Sequence, residues 1–165
     1  MSDWIDDGVR FSCNRCGSCC TGPAGEVACS PDEIVAMASM LGLLPFEFKA
    51  QYVVELQGGP GLRQLERGPG SFDCVFLDRE GGLARCRVHA ARPTQCRTWP
   101  FWPAYLARAG DFAALAEHCV GVRRGLEGVG LLHTRDEVLR AAAATPGGLV
   151  SHHDVEDVGG RNGLS

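Results

Sequence analysis

The sequence predicts a small single-domain α+β protein, with helices and a short antiparallel meander arranged around a cysteine-bound metal centre. Three observations carry that expectation. Capping boxes at Ser30 to Glu33 and Thr134 to Glu137 open two helices; Gly/Pro turns alternate with short strand-like runs between residues 58 and 89; and nine cysteines occur in 165 residues. A chain of this length buries about 70% of its unfolded surface without crosslinks, so the cysteines are not needed merely to close a core.

The elements follow in order. Residues 11 to 20, Phe-Ser-Cys-Asn-Arg-Cys-Gly-Ser-Cys-Cys, carry neither helical nor strand periodicity and read as a ligand loop. Ser30 and Pro31 then start a helix with Ile34, Val35, Ala38 and Leu41 on its apolar face and Gly42 as its stop. A second helix is expected over Pro45 to Leu56, offering Phe46, Tyr52, Val53 and Leu56 to the core. Gly58-Gly59-Pro60-Gly61 and Gly68-Pro69-Gly70 bound a strand from Leu62 to Arg67. The runs Ser71 to Leu77 and Leu83 to His89 complete the meander; with Leu77 opposite Leu83, Cys74 falls opposite Cys86 at a Cβ separation of about 4.5–5.5 Å.

Arg92-Pro93 opens a short helix with Cys96 in its first turn, ended by the aromatic stretch Trp99 to Pro103. A helix from Asp111 leads to His118-Cys119, where Gly121 lets the chain turn sharply. The last helix runs from Thr134 to Pro146. The expected organisation is therefore a metal-binding domain over residues 1–146, followed by a flexible Gly-rich tail over 147–165.

Composition narrows the function. The net charge is -4, which argues against nonspecific binding to nucleic acid. No apolar run approaches the ~18 residues a membrane span needs, and the acidic start Met-Ser-Asp-Trp-Ile-Asp-Asp lacks the features of a secretory signal. A cytoplasmic location is expected, with no membrane and no nucleic-acid partner. In a reducing compartment, thiols at fixed spacing serve metals or redox chemistry rather than structural disulfides. All but one of the basic residues are arginine, the exception being Lys49, which reads as genome bias.

Eight cysteines form a pattern: Cys13-x2-Cys16-x2-Cys19-Cys20, then Cys74, Cys86, Cys96 and Cys119 singly. Two-residue spacing lets successive thiolates curl around one centre. On an extended backbone, Cys19 and Cys20 would point to opposite sides, facing different centres or bridging within a polynuclear one. Eight thiolates then make two four-thiolate sites or surround one larger cluster. Cys29, just before a helix cap, reads as a small buried hydrophobe. His89 reads as a packed or hydrogen-bonded ring, His118 as a weak candidate for a Cys3His site, and His152-His153 as solvated. Trp99, Phe101 and Trp102 read as core, or as a dry wall beside a metal centre.

The motifs Phe11-Ser12-Cys13-x2-Cys16-Gly17-x-Cys19-Cys20, Cys74-x-Phe76-Leu77, Cys86-x2-His89-x2-Arg92-Pro93-x2-Cys96-Arg97-x-Trp99-Pro100-Phe101 and Cys119-x-Gly121 resemble the bacterial cysteine-cluster proteins of the YkgJ type. The resemblance runs from residue 11 to about residue 125. It departs at Cys119-Val120-Gly121-Val122-Arg123, where the family usually has Cys-Pro-Gly-Ile-Gly. It implies zinc, iron or iron–sulfur binding and no defined reaction. Flagellin lysine N-methylase looks similar around the cysteine motif, but no methyl-donor site is recognisable in this chain, and no catalytic residue is assigned.

Zinc modules usually supply ligands as two close pairs, whereas four of these cysteines are widely separated, which favours iron–sulfur clusters or iron. The expected function is redox or electron transfer with an unidentified partner. A structural zinc module and a metal storage or delivery protein remain as alternatives. Either metal leaves a four-thiolate site with excess negative charge, for which Arg15, Arg85, Arg87, Arg92 and Arg97 are the neighbouring compensators.

Overall fold

Helix α1, Pro31–Met40, begins as its capping box dictates: the Ser30 hydroxyl accepts from Glu33 N, and the Glu33 carboxylate accepts from Ser30 N at 2.8 Å. The computed structural model describes residues 3–146; the expected tail 147–165, with His152 and His153, lies outside the described residues. The buried face of α1 is Ile34, Met37 and Ala38, whereas Val35 is exposed. Helix α2, Pro45–Tyr52, stops earlier than expected. The β-branched pair Val53-Val54 starts strand β3, Val53–Leu56, which turns back at Gly58 into β4, Gly59–Leu62. Phe48 rather than Phe46 enters the core; Phe46 is 68% exposed.

Short antiparallel pairs carry the rest of the sheet structure. Strand β1, Val9–Arg10, pairs with β9, Leu132–His133. Strand β6, Ser71–Cys74, lies between β2, Thr21–Gly22, and β5, Gln64–Gly68, while β7, Leu77–Asp78, pairs with β8, Arg85–Cys86. The meander register differs from expectation. Leu77, not Cys74, lies opposite Cys86, and Cys74 pairs with Gln64. The cause is the link between β7 and β8: Gly81 and Gly82 both adopt positive φ, and Ala84 N donates to Arg15 O, so the hairpin closes at Asp78 and Arg85 and leaves Leu83 exposed.

Helices α3, Thr94–Thr98, α4, Pro103–Leu106, α5, Ala109–Ala114, α6, Val120–Leu126, and α7, Arg135–Ala144, complete the described chain. Thr134 caps α7 through the second capping box. Gly121 does not mark a turn. It sits inside α6 with its Cα against the Ser12 carbonyl and the Phe11 ring, and Gly125, one turn later, lies against the Arg10 carbonyl. Side chains at these positions would hold the cysteine loop away from α6.

Two apolar clusters result. One gathers Ile5, Val9, Phe11, Phe101, Trp102, Phe112, Val122 and Val138 with Cys119; the other gathers Ile34, Met37, Phe48, Leu62, Phe76 and Val88 with Cys29, and Cys74 and Cys86 pack at its edge. Helix α3 links them. Gln95, 2% exposed, donates to Glu26 O and accepts from Ala28 N on one side, while Thr98 meets Thr145, just past α7, on the other. Among the described residues, no helix is long and apolar enough to cross a membrane.

Candidate metal centre

The cysteine loop is fixed at both ends. Phe11 N donates to Leu131 O, and Ser12 lies against Gly121. Cys13 Sγ accepts from Arg15 N at 3.4 Å, with Arg15 in the left-handed region at φ 53°; the Cys16 thiol donates to Ser18 Oγ at 3.3 Å. From Gly17 the chain enters a single 3-10 turn, Ser18–Cys20. That turn, rather than an extended backbone, sets the cysteine pair: Cys19 and Cys20 Sγ are 3.8 Å apart. The two side chains therefore meet, where an extended backbone would have sent them to different centres or to two metals of one polynuclear centre. Metal–sulfur bonds of about 2.3 Å give a tetrahedral edge of about 3.8 Å, so the pair has the spacing of two thiolates on one ion.

The antiparallel ladder brings a third thiol in. Thr21 pairs with Asp73, so Cys20 and Cys74 occupy its next position. Cys86 at the end of β8 and Cys96 in α3 complete a charge-coupled group: the Cys96 thiol is raised first by burial, then by the charges of Cys74, Cys19 and Cys86. Cys20 likewise feels Cys74 and Cys96. Cys119 belongs elsewhere, coupled to Cys16 beside the loop that carries Cys13. The charges of Cys19, Cys20, Cys74, Cys86 and Cys96 thus act on one another as one group, while Cys119 feels Cys16. Among the described residues, no three such donors are drawn together closely enough to hold an ion as they stand.

Backbone donors separate Cys74, Cys86 and Cys119 from Cys29. The contact with Cys20 lowers the Cys19 thiol to about 7 against the opposing effect of burial, and the same contact pushes Cys20 far up, so the pair gives up one proton readily and the second with difficulty. Burial raises Cys74 to about 11 and raises Cys86 and Cys119. Each of these three sulfurs nevertheless faces a backbone amide shortly after it, from Phe76, Val88 and Val122 respectively, which favours the thiolate. The Trp99 indole adds a donor at Cys119. No amide offsets the shift at Cys29, which burial and then Glu33 raise to about 11. It is 5% exposed and packs as a hydrophobe.

The surroundings fit thiolates. Arg92, near Cys19, Cys86 and Cys96, works against the rise that burial imposes on their thiols, and its Nη1 donates to His89 O at 2.7 Å and lies 3.3 Å from His89 Nδ1. His89 is thus a hydrogen-bonded ring, and exposed His118 lies 3.9 Å from Glu117. Phe101 and Trp102 are buried, and Trp99 packs edge-on to Trp102 as a wall beside Cys119. Arg97, expected as a compensator, instead lies 3.7 Å from Glu33.

The family model for CxxCxxCC, described as a putative zinc- or iron-chelating domain, matches residues 12–120. The chain belongs to this CxxCxxCC family. The match begins at the loop and ends just beyond Cys119, so all eight patterned cysteines fall within it. No solved structure matches the chain. Sequence reasoning missed Glu33 and Gln95 as parts of the framework beside Cys96. Glu33 was legible only as a helix cap, and nothing local marks Gln95 as a buried strut.

Proposed function

We propose that the chain binds iron through Cys13, Cys16, Cys19, Cys20, Cys74, Cys86, Cys96 and Cys119, as an iron–sulfur centre serving redox or electron-transfer chemistry. The observation that carries this reading is the 3.8 Å separation of Cys19 and Cys20 within a charge-coupled group of five thiols. Two thiolates on one ion match a [2Fe–2S] centre, in which each iron takes two, rather than a [4Fe–4S] centre, in which each takes one. When bound, such a centre would supply one-electron chemistry. The protein's part is to hold the thiols, direct amides and Arg92 at their charge, and wall Cys119 with aromatic rings.

The 3.8 Å edge equally suits a mononuclear zinc ion, and it supports a structural zinc module as the second reading. The exposure of Cys13 and Cys16 supports metal storage or delivery. A cytoplasmic location and a protein redox partner belong to the same proposal. Anaerobically purified protein is expected to be brown and to contain iron and acid-labile sulfide. Colourless protein with stoichiometric zinc overturns the iron–sulfur reading.

A further inference from the structure

We infer that Glu33, on a different element and outside the thiol set, is the positioning residue for Cys96. Helix α3 has five residues, and its N-cap, Pro93, makes no side-chain cap. The missing acceptor comes from α1. Glu33 Oε1 accepts from Thr94 N at 2.7 Å and from Thr94 Oγ1 at 2.6 Å, while Oε2 accepts from Ser30 N at 2.8 Å. One carboxylate therefore serves the starts of two helices. Arg97 closes the arrangement: its Nη2 donates to Thr94 Oγ1 at 2.7 Å and lies 3.7 Å from Glu33 Oε1.

Cys96 sits between Thr94 and Arg97, the two residues this carboxylate holds. Its amide donates to Pro93 O, the carbonyl of the same peptide unit whose N–H, that of Thr94, donates to Glu33, so the turn bearing the thiol starts from the peptide that Glu33 anchors. A helix this short has little intrinsic stability, and its placement depends on such outside contacts. Glu33 touches no thiol of the five-cysteine group. It acts through Thr94 and Arg97, fixing where the Cys96 sulfur stands relative to Cys19, Cys74 and Cys86.

The inference rests on Cys96 being a metal ligand, and the test separates the two claims. Wild-type, Glu33→Gln, Glu33→Ala, Ser30→Ala and Cys96→Ser proteins are loaded with Co2+ and their sulfur-to-cobalt charge-transfer absorption is recorded. In parallel, the metal-free proteins are pulse-alkylated and the label on each cysteine is measured by mass spectrometry. Glu33→Ala is expected to lose the same share of the charge-transfer intensity as Cys96→Ser does, the share carried by one thiolate. Ser30→Ala, which weakens only the α1 cap, is expected to match wild type, and Glu33→Gln, which keeps an acceptor for Thr94, to recover most of the band. Metal-free Glu33→Ala is expected to label several-fold faster at Cys96 but not at Cys119. Wild-type bands in Glu33→Ala, or uniformly faster labelling at every cysteine, overturn the inference. If Cys96→Ser leaves the band unchanged, Cys96 is not a ligand, and the labelling arm still decides whether Glu33 positions it.

Discussion

Gly121 packs its Cα directly on the carbonyl oxygen of Ser12, leaving no space for a methyl group between helix α6 and the cysteine loop. Because the obstacle is backbone, it cannot swing aside as a flexible side chain would. Gly121→Ala is expected to lower unfolding free energy by about 1–3 kcal/mol despite the better helix propensity of alanine. Metal content should fall with it, since the same shift moves Cys13. Urea unfolding and metal analysis of the purified variant check both effects.

The 3.8 Å separation of Cys19 and Cys20 makes them a vicinal dithiol. Metal-free protein is expected to bind one equivalent of phenylarsine oxide at this pair, protecting both residues from alkylation. Cys19→Ser and Cys20→Ser should each abolish that protection, whereas Cys13→Ser should not. Peptide mapping after arsenical treatment gives the answer, and protection that survives Cys20→Ser would place the dithiol elsewhere.

Cys29 is buried and its thiol is raised to about 11, so at pH 8 it is protonated and shielded. Cys29→Ser is expected to leave bound metal unchanged, while Cys20→Ser and Cys86→Ser lower it at least as far as Cys13→Ser does. In native protein at pH 8, Cys29 should be among the last cysteines alkylated. Equal metal loss from the Cys29 change would move it into the ligand set.

Glu137 accepts from Thr134 N and Oγ1, and those hydrogen bonds hold its carboxyl below the ordinary 4.5. The stability contributed by a group shifted in this direction is present above its unfolded-state value and is lost as pH falls through the folded-state value. The urea midpoint of wild type should therefore drop on acidification below about pH 4.5, with a shallower drop in Glu137→Gln. At neutral pH, Thr134→Ala should cost about 1 kcal/mol through loss of the cap. An identical acid slope in the two proteins would show that the carboxylate does not stabilise α7.

The parts of the fold that were legible in the sequence are those set by short-range chemistry. Ser30 with Glu33 and Thr134 with Glu137 each complete their contacts within four residues, so both helix starts could be read locally. What depended on packing could not. Phe46 and Phe48 lie on opposite sides of the two-turn helix α2, and only its packing decides that Phe48 turns inward, whereas on α1 the spacing of Ile34, Met37 and Ala38 already marks Met37 rather than Val35 as inward. The meander register failed because Ala84 bonds to Arg15, far away in sequence, and that contact draws the hairpin open by three positions at Cys86. Helix α6 was missed because its two glycines argue against a helix, and their reason, the passage of Arg10 and Ser12, lies on another segment. The patterned cysteines were visible from spacing alone. The close approach of Cys19 and Cys20 was not, because an extended backbone and a 3-10 turn send neighbouring side chains in different directions.

The ten-residue cysteine loop runs between two separate apolar cores: Phe11 and Cys119 belong to one, and Cys74 and Cys86 border the other. Metal held at both ends of the loop, by Cys16 with Cys119 on one side and by Cys19 and Cys20 with Cys74 and Cys86 on the other, would weld the cores across that seam, so that metal affinity and the cooperativity of unfolding rise together. Chelated protein is free to melt its cores in succession, whereas loaded protein must melt them together. In calorimetry the ratio of van't Hoff to measured enthalpy would then rise towards one as metal is added.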